Sequence, residues 1–599
     1  MSKLKPGTSN VSVSSSAPSL PARKKLFGLS EALPLLLAIA AATLCYGLLI
    51  NRGLGLPILG YNVAPAERVM QGELPYRDFL YNYTPGVLWL NAALMKIFGA
   101  TLMTVNAGLF VFKLAALIAL FYVARRLTCS KAALIPVALT LAWVGYRVVF
   151  RVYPTQYSML FVLLGLAFML SYDETERARW LALSGAMIGL VFLFKQNVGV
   201  FLLASATAAI FIRGLSTAIH STRWTSRILG AIKRAAFCWA GFAIVTAAMF
   251  GYIAYTGTLG AMMNHFFSLA GEYGEKRAIT LPHVKLLAPA ALALITIGAG
   301  SFIAVRKAPK LFEPFILLML ALCAITLLIP GRAYVIKSSA TAVISYLPIA
   351  LFIITFAFVA WQYKTNHRVQ EQRAAWWRSS GPIVMTGLFA LGAYLEMYPR
   401  ADYAHLVRVL PPVFLLLLLL TARSVPMLTD YFQGRMTRPR RAAVLCAAAP
   451  VVLLFVIGIK DAWQPRFDSH FRFVEQTPLT IERARGILVS RKQANFIQGL
   501  DAAIETSSAP GDYIFSFAPR GTAFYFLSAR RNPTRFVWWR SVGIKKSERD
   551  AFLEQIENRV SKLILIPEGF ANDRVLERIN DGYHRIAEVG DIAIYDRNE

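Results

Sequence analysis

Residues 57–99 hold the side chains best suited to chemistry. Ionisable residues lie there among aromatic residues, prolines and glycines: Glu67, Arg68, Glu73, Arg77 and Asp78. A loop that only connects two elements needs few residues, whereas binding and catalytic side chains concentrate on loops. A carboxylate can take a proton from an attacking hydroxyl, and a guanidinium can neutralise a phosphate. The stretch is therefore a candidate active-site loop, with Asp78 as the first catalytic candidate and Glu67 as its competitor.

Each of these two carboxylates also has a structural interpretation. Asp78 follows Arg77 directly and could be a turn residue on the surface. Glu67 could instead form a helix-stabilising pair with a basic neighbour. The sequence alone leaves both interpretations open.

The composition places this loop in a membrane protein. The 599 residues are 56% hydrophobic and only 16% charged, with a mean hydropathy of +0.50, which is typical of a polytopic membrane protein. The net charge of +30 arises mostly from Lys and Arg between apolar runs, where they set membrane topology. Nucleic-acid binding is therefore disfavoured.

About 13 apolar runs approach the length of a membrane span, so we predict an α-helical polytopic protein. They are 30–50, 105–124, 131–149, 155–172, 179–194, 197–213, 236–255, 284–305, 311–330, 341–361, 381–398, 408–423 and 441–459. Alternate connections are strongly basic, which places the N-terminus in the cytoplasm and the C-terminus outside. We expect a bacterial inner membrane, with a disordered basic tail at 1–27.

The chain divides into two large parts. Residues 28–461 form the predicted transmembrane domain, with a first external loop at 52–104 and a helix at about 84–99 on the outer interface. From 462 to 599 the charge density rises, and we predict a small extracytoplasmic α/β domain. Its helices are expected at 480–507, 546–558 and 573–581, and its strands at 513–517, 562–566 and 592–595.

This topology collects further polar residues on the external side. Ionisable groups at membrane depth are costly and usually face a cavity, a partner or a substrate. Lys195 could snorkel to the membrane interface, which is the usual role of a lysine at a helix end. The adjoining span leaves it almost no loop, however, so contact with a phosphate is an equally open interpretation. Arg400 and Asp402 either contact substrate or pair with each other. The predicted substrate-binding set is Tyr76, Arg77, Tyr83, Arg151, Lys195, Gln196, Arg332, Arg400, Asp402 and His405.

No metal or cofactor signature occurs in the sequence. The Cys residues are scattered without metal-like spacing, and no HExxH, DxD or Cys/His cluster is found. We read His265 and His283 as ordinary loop histidines. No cofactor is predicted, although a divalent metal stays open.

The loop residues resemble a known superfamily. Gly-Glu-Leu-Pro-Tyr-Arg-Asp-Phe at 72–79, Tyr-Thr-Pro-Gly at 83–86 and Phe-Gly at 98–99 are similar to the first external loop of GT-C membrane glycosyltransferases. That superfamily includes protein O-mannosyltransferases, the lipid A aminoarabinose transferase and arabinofuranosyltransferases. The many spans and the external C-terminal domain are also similar, so the likeness covers nearly the whole chain.

The resemblance implies an inverting transfer on the extracytoplasmic face. The donor would be a polyprenyl-phosphate sugar, the acceptor a lipid, glycan or protein, and the base an acidic residue of the first loop. Many such enzymes carry that acid soon after the first span. Residues 56–63 read Leu-Pro-Ile-Leu-Gly-Tyr-Asn-Val here and contain no acid. Either Asp78 or Glu67 would therefore take this role, or the chain has lost transferase activity.

Two other function classes stand beside the transferase. A lipid-linked sugar flippase or transporter would carry ionisable residues near mid-helix and paired repeats. The polar groups lie mostly at helix ends on one side, which favours the transferase. A non-catalytic cell-envelope assembly protein would bind the lipid-linked sugar without turning it over.

Overall fold

The computed structural model describes residues 29–144, 150–217, 224–276, 370–397, 403–422, 476–537 and 561–598, together with isolated positions in 346–363 and 539–554. The predicted tail at 1–27 and the predicted spans at 284–305, 311–330 and 441–459 lie outside these residues. Most of the predicted span 341–361 and of the predicted helix 546–558 does so too.

The first part of the chain is a helical bundle. In the described residues its helices are α1 (Leu29–Gly47), α5 (Leu102–Leu127), α6 (Leu134–Val144), α7 (Pro154–Thr175), α8 (Ala178–Phe194), α9 (Gln196–Thr217), α10 (Trp224–Tyr255), α11 (Leu259–Lys276), α12 (Gln370–Tyr394), α13 (Tyr403–Arg408) and α14 (Leu410–Ala422). Every predicted run in the described residues overlaps one of them. Four of these helices, α5, α7, α9 and α10, are long and apolar enough to cross a membrane.

The first loop builds helices of its own between α1 and α5. They are α2 (Leu56–Ile58), a π-helical turn (Leu59–Val63), α3 (Ala64–Met70) and α4 (Gly86–Phe98). Pro85 precedes α4, and Gly99 ends it with a φ of +93°, a conformation that favours glycine. The helix predicted at 84–99 is thus present.

Charged contacts mark the two ends of the bundle. At one end Arg126 pairs with Glu174 at 2.8 Å, and Arg213 pairs with Asp173 at 2.6 Å. At the other end Lys195 pairs with Glu396. Arg126 and Arg213 lie near the C-terminal ends of α5 and α9, at the ends that the charge pattern assigned to one side, and the cytoplasmic location of that side stays a prediction.

The C-terminal part contains two sheets. Strands β1 (Gln476–Pro478) and β2 (Leu488–Ser490) pair antiparallel, and β3 (Ile514–Ser516), β4 (Leu563–Pro567), β5 (Tyr583–Val589) and β6 (Ile592–Arg597) form a sheet of order β3-β4-β6-β5. The pair β3–β4 is parallel, whereas β4–β6 and β5–β6 are antiparallel. The α-helices in the described residues of this part are α15 (Arg491–Ser507), α16 (Phe524–Leu527) and α17 (Asp573–Gly582).

The predicted helix at 480–507 is wrong over its first third. Residues 488–490 form β2 instead, and Ser490 then caps α15 by accepting a hydrogen bond from the Gln493 N–H. The three predicted strands are confirmed, whereas β1, β2 and β5 were not predicted.

The first loop and the C-terminal part share one hydrophobic core. Tyr76, Phe79 and Tyr81 of the loop are buried in the same cluster as Phe524 and Leu565. Backbone hydrogen bonds join the two parts: Leu80 N–H donates to Arg535 O at 2.8 Å, and Gly53 N–H donates to Leu488 O at 2.8 Å. A side chain at Gly60 would collide with Thr522, so glycine permits the close approach. The C-terminal part therefore holds the first loop in place.

Candidate functional site

Glu67 lies at the centre of the contact between the first loop and the C-terminal part. It is on α3 and only 5% exposed, and its Oε1 accepts a hydrogen bond from Arg483 Nη1 at 2.6 Å. It lines a cavity of about 30 Å³, which we call the interface cavity. The polar residues that line this cavity are Glu67, Arg68, Gln71, Glu73, Tyr525, Arg530, Arg531 and Asn532. The cavity thus places a buried carboxylate among arginines.

The arginines of the interface cavity differ in what they already bind. Arg68 is held by Glu73 at 2.6 Å and by the backbone oxygens of Thr534 and Asp78. Arg530 is buried and donates to the backbone oxygens of Ser508 and Ser528. Arg531 is exposed and lies near enough to Glu67 to influence its ionisation. Arg531 is therefore the cation best placed to meet an incoming anion.

Asp78 closes a turn on the surface of the loop. Its two oxygens accept hydrogen bonds from Arg77 Nε and Nη2, each at 2.8 Å, and Oδ2 also accepts one from the Leu74 N–H at 2.7 Å. The side chain is 29% exposed. This is the turn arrangement that the sequence left open as an alternative.

The two carboxylates differ in acidity for identifiable reasons. Burial raises the pKa of Glu67 above the ordinary value, while Arg483 and Arg531 oppose that rise. The hydrogen bonds from Arg77 hold the pKa of Asp78 below its ordinary value. A carboxylate with a raised pKa is the stronger base, so Glu67 suits proton abstraction better.

The predicted aromatic residues of the loop pack inward. Tyr76 is buried with a φ of +71°, and its hydroxyl donates to Tyr83 O at 2.7 Å. The Tyr83 ring centroid lies 5.4 Å from Lys195 Nζ. Arg77 is exposed and contacts Asp78. The loop thus meets the junction of α8 and α9 through Tyr83.

Lys195 lies at the junction of α8 and α9 and does not snorkel. It is 4% exposed, and its Nζ lies 2.5 Å from Glu396 Oε1 and 3.3 Å from Thr155 Oγ1. Thr155 Oγ1 also donates to Glu396 Oε1 at 2.5 Å. We call Lys195, Glu396 and Thr155 the helix-end cluster.

Arg408 is buried beside the helix-end cluster. Its guanidinium stacks on the Tyr153 ring at 3.8 Å from the centroid, and it acts electrostatically on both Lys195 and Glu396. His405, on the same short helix α13, is half-buried and influences Glu396 in the same sense. The segment after α12 therefore lies at the same end of the bundle as the first loop and the start of α7.

A neutral polar network links Gln196 to the loop. Gln196 Nε2 donates to Asn82 O at 3.0 Å, and its Oε1 accepts from the Thr84 N–H at 3.3 Å. His265 Nε2 lies 3.0 Å from Asn82 Oδ1. The prediction that His265 is an ordinary loop histidine is wrong, because it is buried on α11 against the first loop.

Of the remaining predicted site residues, the structure describes Arg151. Arg151 is half-buried and lies beside Gly55, at the base of the first loop. Arg332, Arg400 and Asp402 lie outside the described residues. No group of three or more His, Cys, Asp or Glu able to hold a metal ion occurs in the described part of the chain.

Several polar residues of this end were missed as site candidates. Glu396 and Arg408 flank the predicted pair Arg400 and Asp402, and the signal for both was an ionisable residue at the edge of an apolar run. Lys113 had a clearer signal, since it is the single charged residue in α5 before its basic last turn. Arg483 had no such signal in the sequence, because its partner Glu67 lies 416 residues away.

A family model described as dolichyl-phosphate-mannose-protein mannosyltransferase matches residues 82–231. In this segment the predicted resemblance to GT-C membrane glycosyltransferases is confirmed. The segment begins within the first loop and includes Tyr83, Arg151, Lys195 and Gln196. No curated protein sequence matches this chain.

Two solved structures are similar over most of the chain. ArnT from Cupriavidus metallidurans, bound to undecaprenyl phosphate, is 14% identical, with 94% of this chain and 97% of that chain covered and a TM-score of 0.49. The Archaeoglobus fulgidus oligosaccharyltransferase in its apo form is 13% identical, with 95% and 74% covered and a TM-score of 0.48. Likeness at this level assigns no residue of this chain a role.

Proposed function

We propose that the protein is an integral-membrane glycosyltransferase with Glu67 as its base. It transfers a sugar from a polyprenyl-phosphate donor to an acceptor hydroxyl of a lipid, glycan or protein on the extracytoplasmic face, with inversion. The observation that carries the proposal is the buried Glu67 carboxylate in an arginine-lined cavity. The matching family model supports the donor class, because its description names a dolichyl-phosphate sugar.

The geometry suits a single displacement. Glu67 takes the proton from the acceptor hydroxyl while that oxygen attacks the anomeric carbon. The bond from this carbon to the phosphate oxygen breaks, and the phosphate leaves with the electron pair. Arg531, at the edge of the cavity, neutralises the charge that develops on the phosphate. One displacement at the anomeric carbon inverts its configuration.

Arg483 and Arg68 have supporting roles in this proposal. Arg483 keeps Glu67 ionised and oriented through their hydrogen bond at 2.6 Å. Arg68 fixes α3 to the C-terminal part through Thr534 O. Both are positioning residues, because their donors already bind protein groups.

A second part of the proposed site is formed by Lys195 of the helix-end cluster and its neighbours Tyr83 and Gln196. Tyr83, Lys195 and Gln196 connect the first loop to the bundle, so they are placed to shape the passage for the polyprenyl chain. We retain Arg151, Arg332, Arg400, Asp402 and His405 as substrate-contact predictions. The proposal includes a location in the bacterial inner membrane, and the charge pattern predicts that the C-terminal part is external.

The decisive experiment compares Glu67→Gln with Asp78→Asn. Glu67→Gln should lower transfer by about 10²–10⁴-fold, the usual contribution of a general base, because the amide cannot accept the proton. Asp78→Asn serves as the matched control and should retain transfer. The measurement is single-turnover transfer of a radiolabelled sugar from a polyprenyl phosphate by the full-length protein in proteoliposomes.

If Asp78→Asn loses transfer and Glu67→Gln retains it, the base is Asp78. If both variants and the wild type bind the donor equally but none turns it over, the protein is a non-catalytic binder. Donor binding by Glu67→Gln should remain near the wild-type level, which separates a catalytic defect from misfolding.

A further inference from the structure

A second cavity lies within the helical bundle, apart from the interface cavity. It has a volume of about 40 Å³, enough for about three waters at 10–15 Å³ each. Polar groups from five elements line it: Tyr46, Lys113, Thr140, Gln156 and Arg408. The rest of its wall is apolar, with Leu117, Leu120 and Leu163 among the contributors. We call it the bundle cavity.

Two cations line the bundle cavity, and no acidic residue lines it among the described residues. Lys113 is 5% exposed and Arg408 is 3% exposed. In the part of the chain that the structure describes, Lys113 forms neither a hydrogen bond nor an ion pair. Its Nζ lies 5.0 Å from the centroid of the Tyr46 ring, a cation–π contact. A cation enclosed by apolar helices is costly unless an anion or a preorganised dipole balances it.

The position of the cavity in the bundle suggests the source of that anion. Tyr46 is in the last turn of α1, Gln156 in the first turn of α7, and Arg408 at the end of α13. Thr155, next to Gln156, belongs to the helix-end cluster. The cavity therefore begins near the helix-end cluster, at the end of the bundle where a lipid headgroup would reside, and reaches Lys113 in the middle of α5.

We propose that the bundle cavity binds a phosphate oxyanion through Lys113 and Arg408. An ammonium and a guanidinium together offer charge-assisted donors to one tetrahedral group, while Gln156 and Tyr46 add polar contacts. The apolar wall excludes water and strengthens both ionic contacts. The site binds its anion whether or not a sugar is transferred, so it stands apart from the base assigned to Glu67.

The phosphate can come from a polyprenyl phosphate or from free phosphate, and binding measurements distinguish the two. Full-length protein in detergent is titrated with a long-chain polyprenyl phosphate, with the uncharged polyprenol and with inorganic phosphate. Native mass spectrometry counts bound lipids, and thermal unfolding reports stabilisation by each compound. The variants are Lys113→Met, Lys113→Arg and, as matched control, Lys131→Met, since Lys131 is exposed at the opposite end of the bundle.

Lys113→Met should bind one polyprenyl phosphate fewer than the wild type, or bind it about 10–100-fold more weakly, as expected for one lost charge-assisted contact. Lys113→Arg and Lys131→Met should retain binding, and polyprenol should not distinguish the variants. A Lys113-dependent stabilisation by inorganic phosphate alone would show that the free ion suffices. Without ligand, Lys113→Met should be at least as stable as the wild type, because an enclosed charge is replaced by an apolar side chain.

The proposal is overturned if Lys113→Met and the wild type bind both phosphate compounds in equal number and with equal affinity. Its failure is distinguishable from failure of the transferase proposal. The Glu67→Gln variant tests transfer in the interface cavity and leaves the bundle cavity intact, whereas Lys113→Met alters only the bundle cavity.

Discussion

The chemistry of Glu67 depends on two opposing influences on one side chain. Burial favours the protonated carboxyl, and Arg483 and Arg531 favour the carboxylate. The result is a pKa above the ordinary value, so the base should be protonated, and transfer lost, as the pH falls through that raised pKa. Asp78 has the reverse balance, since its pKa is lowered by Arg77.

Arg483→Gln should therefore shift the acidic limb of the pH–rate profile to higher pH. Removing the guanidinium removes an influence that lowers the pKa of Glu67, while its burial remains. The measurement is the pH dependence of transfer at saturating donor. Arg77→Gln is the control, because Arg77 pairs with Asp78 and should leave this limb in place. A limb that moves with Arg77→Gln would assign the base to Asp78.

The Lys195–Glu396 pair should show strong coupling in a double-mutant cycle. Glu396→Leu alone leaves the ammonium without its carboxylate and should destabilise the protein by about 3–5 kcal/mol, and Lys195→Met alone leaves the carboxylate without its ammonium at a similar cost, whereas the double variant should be close to neutral. Thermal unfolding of the four proteins measures this coupling.

Transfer by the same proteins separates two roles of Lys195. If Lys195 only holds the junction of α8 and α9 to the turn after α12 (Leu395–Met397), the double variant should recover transfer along with stability. If Lys195 contacts the substrate, transfer should stay low in the recovered double variant. Equal stability of all four proteins would contradict the buried pair itself.

At the scale of elements, glycines set the contact between α8 and α10. A side chain at Gly185 would overlap the Cys238 carbonyl, and one at Gly241 would overlap the Ala182 carbonyl. Small residues let helix backbones approach closely, which is how helices associate in membranes. The pair α8–α10 is therefore packed backbone against backbone.

Gly241→Ala should destabilise the protein by about 1–3 kcal/mol, because the added methyl group forces the two helices apart. Gly251→Ala is the matched control on the same helix, since nothing lies within 4 Å of its added carbon. The control should be neutral or stabilise by up to about 1 kcal/mol through helix propensity. Thermal unfolding measured side by side gives the difference, and equal effects of the two substitutions would contradict the close packing.

The helices of the bundle were predictable because a membrane span is a long apolar run bounded by charge. The elements of the C-terminal part were harder to predict from the sequence. β2 is three residues long and forms by pairing with β1, and β5 has mostly exposed side chains, so neither has the apolar alternation that identifies a strand. Lys113 lay within a predicted span, and only the position of Arg408 across the cavity gives it a chemical context.

At the scale of the whole molecule, the site depends on contacts between distant parts of the sequence. Glu67 was a candidate from its loop, but its partner Arg483 and the cavity residues Tyr525, Arg530 and Arg531 come from the C-terminal part. The prediction of an external domain at 462–599 supplied no reason for those residues to meet the loop. Pairings of this kind are set by tertiary packing and leave no local pattern.

The shared core predicts that residues 462–599 do not form a stable domain alone. One face of the β3–β4 strands packs with Phe517 and Ile566 on a separate cluster, but Leu563 and Leu565 face the core that includes the first loop. Without the loop this core loses Tyr76, Phe79 and Tyr81, and the apolar surface that packed against them is exposed to water at a cost of about 25 cal/mol for each Å². The strand β2 also loses its backbone partners Asn51 and Gly53.

We therefore expect the expressed fragment to aggregate or to bind a hydrophobic dye, with weak protection of the β3 and β4 amides in hydrogen exchange. The same amides should be strongly protected in the full-length protein. Adding residues 51–83 through a flexible linker should restore protection, because this segment returns Tyr76, Phe79 and Tyr81 to the shared core. A fragment that unfolds cooperatively without the loop would show that the C-terminal part is independent, and the loop would then have to be positioned by the helices alone.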